Sequence, residues 1–444
     1  MTRQCTRRTF LAAAAIGAAS TYAACRPRAH KRARTMSANQ RLNLAFIGLG
    51  RQGTLLLNEF PDDVVAAFCD VDDASAAEAY RRFPNVPRYR DFRILFDKQK
   101  DIDAVVVATP DHWHAVIASA AMRLGKHVFC EKPLARTIHE ARAIAETAKN
   151  CGIVTQAGSQ GMASPGIRRL REWVEAGVIG AVREVHCWTD RPLWPQGIDR
   201  PADAPLPPAT LDWDMWLGPA PERPYHPCYL GLNWRGWWDF GTGALGDMGP
   251  HVLLMPWVAL KLGVPASVTA ESSSVNQETA PAWSIIRFEF PARGELPPVT
   301  LTWRDGGKVP PRPEGVDPNE TLGLDGSGTL FIGDNGMIAI GPYGYGEGPR
   351  LVPRDRMRTF APPAQSLPDA EVSHWREWAN ACRGGPLPSF PFEQAAAFTE
   401  TILLGNVALR AGRTVAWDEK QRSLRNPPEA DAFLRPVYRG PWRL

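Results

Sequence analysis

Hydrophobic residues divide the chain into two parts with different patterns. Before Gln156, short apolar runs alternate with alanine-rich segments such as HEARAIAETAKNCG. The apolar runs lie in the stretches RLNLAFI, VVAAFCD, DAVVVATP and KHVFCEKP. Continuous apolar runs of this length are typical of strands buried on both faces, whereas the alanine-rich segments have helical spacing. Alternation of the two predicts an α/β domain with a doubly wound parallel sheet.

After Gln156 the apolar runs follow one another without intervening helices. Strand-like runs recur at VREVHCW, VTAESSSV, WSIIRFEF, PVTLTWR and GTLFIGDNGMIAIG, which predicts a second sheet. The proline- and glycine-rich stretches at 191–233 and 304–328 are too long for hairpin turns, and we interpret them as insertions able to cover a site. SHWREWANACRGG and EQAAAFTETILLGNVALRAG predict amphipathic helices that pack back on the body.

The first residues are typical of a targeting segment. TRRTFLAAAAIGAAS contains Arg7 and Arg8 followed by an apolar run too short to span a membrane. This resembles a twin-arginine (Tat) export signal. We expect cleavage near Ala24 and a periplasmic or other extracytoplasmic location. The alternative is lipidation of Cys25, although Tyr22 matches the lipidation signal poorly. Lipidation would be the only link that we expect to a membrane.

Charge and cysteine content exclude several classes of protein. The 51 basic and 47 acidic residues leave a net charge of only +4, part of it in the leader, so we expect no nucleic-acid partner. Eight cysteines are present, but two lie in the leader and the others show no paired or zinc-type spacing. We therefore predict no disulfide and no metal site.

The segment RLNLAFIGLGRQG has the spacing of a dinucleotide-binding turn. Gly48, Gly50 and Gly53 form a GxGxxG motif between a predicted strand and a helix-like segment, and Asp70 ends the next strand. Gly48 permits the tight turn, and Gly50 lets the backbone approach a pyrophosphate. Asp70 would accept hydrogen bonds from the ribose and repel a ribose phosphate, which favours NAD over NADP; the alternative is a simple turn residue.

Ligands of parallel sheets bind beyond the carboxyl ends of the strands, and several polar residues and prolines lie at these ends in the predicted sheet. The predicted cofactor contacts are Gly48, Gly50, Arg51, Gln52, Gly53, Asp70, Thr109, Pro110, His114, Glu131 and Lys132.

The stretch GTGALGDMGPH contains Asp247 and His251, four residues apart. On a helix such a pair shares one face, and a carboxylate beside an imidazole is a common general-base arrangement. The alternative is a helix start, with Asp247 as N-cap and Pro250 in the first turn. The residues alone leave both interpretations open.

The motifs GLGRQG, ATPDHWH, CEKPLA and GDMGPH, in this order, resemble the Gfo/Idh/MocA family of NAD(P)-dependent oxidoreductases. The resemblance implies a Rossmann domain at residues 40–160, followed by a substrate-binding α/β domain at 161–430 with a large, open, mostly antiparallel sheet. Residues 1–35 would then be the leader and linker, and 431–444 a C-terminal tail. The resemblance also implies NAD as cofactor, a sugar or polyol hydroxyl as the reacting group, and assembly as a dimer or tetramer.

The same resemblance maps the family's catalytic lysine, aspartate and histidine onto Lys132, Asp247 and His251. His251 would take the hydroxyl proton, Asp247 would orient and charge-stabilise the imidazole, and Lys132 would hold the substrate oxygen. His114 is expected to line the site because the family usually has a histidine there.

Aromatic residues near these motifs suit the apolar faces of sugars. We propose as substrate contacts Trp188, Arg191, Trp234 and Arg235, although most tryptophans are core residues. Export to a compartment with little free NAD would require a tightly held cofactor, as in a ping-pong oxidoreductase or an NAD-dependent glycoside hydrolase that oxidises its sugar transiently. A non-catalytic sugar-binding protein is the third alternative. Lys132 favours the oxidoreductase, because the hydrolase branch does not keep this lysine.

Overall fold

The computed structural model describes residues 33, 37, 39–344, 348–368, 372–418 and 420–444. The predicted export signal, its cleavage site near Ala24 and the alternative lipidation site at Cys25 lie outside the described residues. Within them, no helix is both long enough and apolar enough to cross a membrane.

The described elements run in the following order. The strands are β1 Asn43–Ile47, β2 Val64–Cys69, β3 Arg88–Tyr89, β4 Ala104–Val107, β5 His127–Cys130, β6 Thr155–Ala157, β7 Val182–Trp188, β8 Ser267–Ser272, β9 Ser284–Phe290, β10 Val299–Arg304, β11 Gly328–Gly333, β12 Gly336–Ile340, β13 Arg350–Val352, β14 Val415–Asp418 and β15 Ser423–Asn426. The helices are α1 Arg51–Leu56, α2 Ala77–Arg82, α3 Phe92–Lys98, α4 Asp111–Arg123, α5 Ile138–Cys151, α6 Pro165–Glu175, α7 Trp213–Leu217, α8 Gly243–Val252, α9 Leu254–Ala259, α10 His374–Cys382 and α11 Phe392–Ala411.

The first sheet confirms the prediction of a doubly wound parallel domain. Its six described strands have the order β3-β2-β1-β4-β5-β6, and every neighbouring pair is parallel. All residues of β4 and β5 are buried, as their continuous apolar runs predict. The order reverses between β1 and β4, so a crevice opens at the carboxyl ends of these strands.

The second sheet confirms the prediction of a large, mostly antiparallel sheet. Its nine described strands have the order β13-β12-β11-β7-β10-β9-β8-β14-β15, and only β7 and β10 pair in parallel. The run GTLFIGDNGMIAIG forms two strands, because Asp334 and Asn335 turn the chain between β11 and β12.

Helix α11 packs on the body as expected, but it is not amphipathic. Nearly every side chain from Phe392 to Leu409 is buried, because α11 packs between α5 of the first domain and β8 of the second sheet. Its buried Glu400 accepts hydrogen bonds from Arg142 of α5 at 2.8 and 2.6 Å. Helix α11 therefore joins the two domains rather than covering one of them.

Two segments from beyond residue 161 pack on the first domain. Trp378 of α10 is fully buried, and its ring centroid lies 5.6 Å from that of Phe60 and 5.8 Å from that of Phe129. In the tail, the Trp442 ring lies 4.8 Å from that of Trp113. These contacts fix the orientation of the two sheets about the cleft between them.

Candidate active site

A cleft of about 450 Å³ opens at the carboxyl ends of the parallel strands. The first domain contributes its glycine-rich loop and the ends of β2, β4 and β5. The second domain contributes α8 and a short 3₁₀ turn at Asn233–Gly236. The site therefore depends on both domains.

The three glycines of the fingerprint have different structural roles. Gly48 has φ +88°, which favours glycine, and a Cβ on Gly53 would fall 1.9 Å from the Gly48 carbonyl oxygen. A Cβ on Gly50 would meet no atom within 4 Å, so that side chain would project into open space in the cleft. The packing of the loop requires Gly48 and Gly53, whereas Gly50 leaves the room that a pyrophosphate needs.

Asp70 lies at the end of β2 and faces the cleft. Its carboxylate accepts hydrogen bonds from the amides of Leu49 at 2.5 Å and Asp72 at 2.9 Å. Burial raises the pKa of Asp70 to about 6, although these bonds oppose the shift. Asp70 therefore stabilises the turn, as the alternative interpretation expected, and it also lines the cleft.

The loops after β4 and β5 complete the cofactor side of the cleft. Thr109 lines the cleft, and its buried hydroxyl has no hydrogen-bond partner among the described residues, so it fits a bound ligand. Gln52 donates a 3.0 Å hydrogen bond to Glu131, and both line the cleft with Arg51, Pro110 and Lys132.

His114 is placed differently from the expectation that it lines the site. The chain after β4 enters α4 at Asp111 rather than continuing as a loop, so His114 lies on this helix, buried behind the cleft. Its ring nitrogens lie 2.9 Å from the Thr109 carbonyl and 2.8 Å from the Pro133 carbonyl. His114 ties together the two loops that carry the predicted cofactor contacts.

Asp247 is the centre of a cationic cluster. Helix α8 begins at Gly243 with Thr242 at the N-cap position, so the interpretation of Asp247 as N-cap is wrong. Its Oδ1 lies 2.9 Å from both Lys132 Nζ and Arg235 Nε. Burial alone would raise the pKa of Asp247, but these two cations outweigh burial and hold it well below its usual range.

His251 lies one helical turn after Asp247 and lines the cleft. Burial, with the charge of Lys132, lowers its pKa well below the usual range, and Asp247 opposes that shift. Among the described contacts, Asp247 bonds Lys132 and Arg235 and acts on the imidazole only through its charge. The ring of Tyr343 lies 3.9 Å from the imidazole and holds it in place.

Asp111 is a functional candidate that sequence reasoning missed. It is buried, accepts a 2.7 Å hydrogen bond from the Thr242 hydroxyl, and feels the charges of Arg235 and Asp247. Burial raises its pKa to about 7. The bond links the start of α4 to the start of α8. Asp111 belongs to the ATPDHWH motif, but no local pattern shows that it contacts Thr242, which is distant in sequence.

The four proposed substrate contacts divide between three environments. Trp234 lines the cleft, and the Arg235 guanidinium lies 4.3 Å from its ring centroid. Arg191 pairs with Asp190 and its charge lowers the pKa of His251, so it lies near the site. Trp188 is buried away from the cleft, where a Cβ on Gly328 would be 2.6 Å from its ring, so it is a core residue.

A cap from the second half covers the cofactor side of the cleft. It is formed by residues 210–233 and bonds the loop after β2 through Asp212 N to Val71 O at 2.9 Å and Asp73 N to Thr210 O at 3.1 Å. Met215, Trp216, Leu230 and Leu232, together with Tyr343, line the cleft and were absent from the sequence-based candidates. Part of the predicted insertion at 191–233 thus covers the site.

Comparison with known proteins gives two consecutive family matches. Residues 42–159 match the Gfo/Idh/MocA oxidoreductase family, NAD-binding Rossmann fold, and residues 167–296 match its C-terminal α/β domain. Together the two ranges cover more than half of the chain.

Individual relatives are more distant. Levoglucosan dehydrogenase of Pseudarthrobacter phenanthrenivorans is 31% identical over 49% of this chain and 50% of its own length. The chain thus spans about half the length of this curated relative, and 42% of the myo-inositol 2-dehydrogenase of Thermotoga maritima. A levoglucosan dehydrogenase structure with NADH and L-sorbose has 21% identity and a TM-score of 0.56, with 85% and 99% of the two chains covered. The structure of aldose-aldose oxidoreductase from Caulobacter crescentus with glycerol has 19% identity and a TM-score of 0.56, with 85% of this chain and 100% of that chain covered.

Proposed function

Because the chain belongs to the Gfo/Idh/MocA oxidoreductase family, we propose that it is an NAD-dependent oxidoreductase acting on a hydroxyl of a sugar, glycoside or polyol. The observation that carries the proposal is the cluster of Lys132, Arg235, Asp247 and His251 at a cleft shared by both domains. Relatives named as levoglucosan and inositol dehydrogenases support this substrate class.

The residues around the cleft fit NAD. The open space at Gly50 suits the pyrophosphate, Asp70 suits the adenosine ribose, and the Thr109 hydroxyl lacks a partner among the described residues. An ionised Asp70 would repel a ribose phosphate, which favours NAD over NADP. When bound, the cofactor supplies a hydride acceptor.

The cluster has the properties needed to remove a hydroxyl proton. His251 is neutral near pH 7 because its pKa is lowered, so a ring nitrogen can accept the proton. Lys132 Nζ, positioned by Asp247, can hold the substrate oxygen and offset its developing negative charge. Once His251 is protonated, the nearby Asp247 carboxylate stabilises the imidazolium.

We further propose that the cofactor stays bound between turnovers. The cap bonds the loop that follows Asp70, and its apolar residues face the cleft, so it would hinder cofactor exchange. Such retention fits export through the twin-arginine segment, since folded protein would carry its cofactor along. A second substrate would then reoxidise the cofactor on the enzyme.

The test uses the purified mature protein mixed with sugars, polyols and glycosides, without free cofactor. A lasting reduced-nicotinamide absorbance band is the expected result. Lys132→Met should slow its formation about 100- to 1000-fold, whereas the exposed Lys98→Met should not. Aglycone release without lasting reduction would favour the glycosidase, and sugar binding without either signal would favour a binding protein.

A further inference from the structure

A second, smaller cavity lies beside the start of α8 and is separate from the cleft. Its volume is about 30 Å³, and Arg136, Trp238, Arg410 and Phe433 line it. None of these four residues lines the cleft. One water-sized particle needs roughly 10–15 Å³, so the cavity holds about two or three such particles but not a sugar or nucleotide.

The walls of this cavity present hydrogen-bond donors without acceptors. Arg136 donates one bond, 3.0 Å long, to the Trp238 carbonyl, but its buried Nε has no acceptor among the described residues. The indole Nε1 of Trp238 is buried and also lacks one. Arg410 contacts the rings of Trp238 at 5.4 Å and Phe433 at 4.2 Å, with no hydrogen bond or ion pair within the described part of the chain.

The cavity also brings together the guanidinium groups of Arg136 and Arg410, and neither forms an ion pair with a carboxylate of the described residues. Burial, reinforced by the charge of Arg136, lowers the pKa of Arg410 to about 10, although Asp239 opposes the shift. Asp239 is itself paired with Arg223. Two like charges in a partly buried site are costly unless a counter-ion accompanies them.

We propose that this cavity binds a small inorganic anion of chloride size, held by the guanidinium groups of Arg136 and Arg410 and by Trp238 Nε1. A water molecule could accept the free donors but would leave the two charges uncompensated, whereas an anion does both.

The position of the cavity couples this anion to the start of α8. Thr242 lines the cavity, precedes α8, and is bonded by its hydroxyl to Asp111 and through its carbonyl to Asn406 at 2.8 Å. An anion that relieves the repulsion between Arg136 and Arg410 therefore stabilises this junction. This inference does not depend on the proposed function.

The direct test is anomalous diffraction from crystals of the full protein grown in sodium bromide. An anomalous peak between Arg136 and Arg410 is expected, and bromide bound elsewhere only, with a water in this cavity, would overturn the proposal. The signal does not require activity or any variant.

The solution test compares the unfolding midpoint in sodium chloride and in sodium gluconate of equal ionic strength. The wild type should gain a saturable few degrees in chloride, because a ligand that binds only the folded state raises its stability. Arg410→Gln should lose this gain, and the exposed Arg413→Gln should keep it. Arg136→Gln replaces the first variant if that fails to fold. Equal gains in all proteins would refute the site.

Discussion

Gly50 and Gly53 give a matched pair of alanine substitutions that separates cofactor binding from folding. Gly50 has φ −60° and ψ −170°, which alanine adopts without strain, and its added Cβ would meet no protein atom within 4 Å. The added Cβ on Gly53 would lie 1.9 Å from the backbone oxygen of Gly48, which no rotamer change can relieve.

The expected magnitudes follow from these contacts. Gly50→Ala should leave the free energy of unfolding unchanged or raise it by up to about 1 kcal/mol, since alanine restricts the unfolded chain. If the cofactor pyrophosphate occupies the open space, the methyl group should cost about 1–3 kcal/mol of binding, or about 5- to 150-fold in Kd. Gly53→Ala should instead lose about 1–3 kcal/mol or more of stability.

Two measurements decide the matter: the nicotinamide content and NAD affinity of each purified variant, and the unfolding midpoint of each after the cofactor is removed. Gly50→Ala with the affinity of the wild type would refute the placement of the pyrophosphate at this loop. Gly53→Ala with an unchanged midpoint would refute the argument from packing.

Three further predictions concern the cluster and the domain contacts. The pKa of Asp111 is about 7 in the folded protein, against 3.8 for an ordinary aspartate, so folding favours the protonated form. Stability should therefore fall as pH rises between these values, and Asp111→Asn should abolish this decline in pH-dependent thermal denaturation. Arg235→Gln should lower kcat/KM about 10- to 100-fold by removing one charge-assisted bond to Asp247, and Arg235→Lys should recover part of it; unchanged kinetics would contradict its role. Trp378→Ala should cost about 3–5 kcal/mol of stability, measured by denaturant unfolding, because it empties a buried site between Phe60 and Phe129; a loss below 1 kcal/mol would show that α10 is not needed to hold the first domain.

The strands and the glycine loop could be predicted because their signals are local. The runs ending at Ile47, Cys69 and Cys130 form strands, and their apolar composition indicates the burial that each strand has at its carboxyl end. Gly48, Gly50 and Gly53 could be predicted because the turn needs a glycine at each of these positions for its backbone conformation, its open space or its packing. By contrast, α11 was expected to be amphipathic, since sequence shows the composition of a helix but not how many neighbours surround it.

The candidate site also combines features that local sequence patterns indicate with features that depend on contacts between distant residues. Sequence motifs and their family resemblance indicated Lys132, Asp247 and His251, and the structure decided that the last two share one helix. The pairing of Arg235 with Asp247 and the contact between the rings of Tyr343 and His251 join residues from different elements, which no local pattern encodes.

The sequence by itself determined the parallel sheet, the glycine-rich turn and the order of the motifs, because backbone geometry and strand burial restrict residue types over a few positions. Only the tertiary structure decided that Trp188 is a core residue, that His114 ties two loops together, and that Asp111 joins α4 to α8. Each depends on which distant surfaces meet when the two domains pack, and that choice is made by the whole chain.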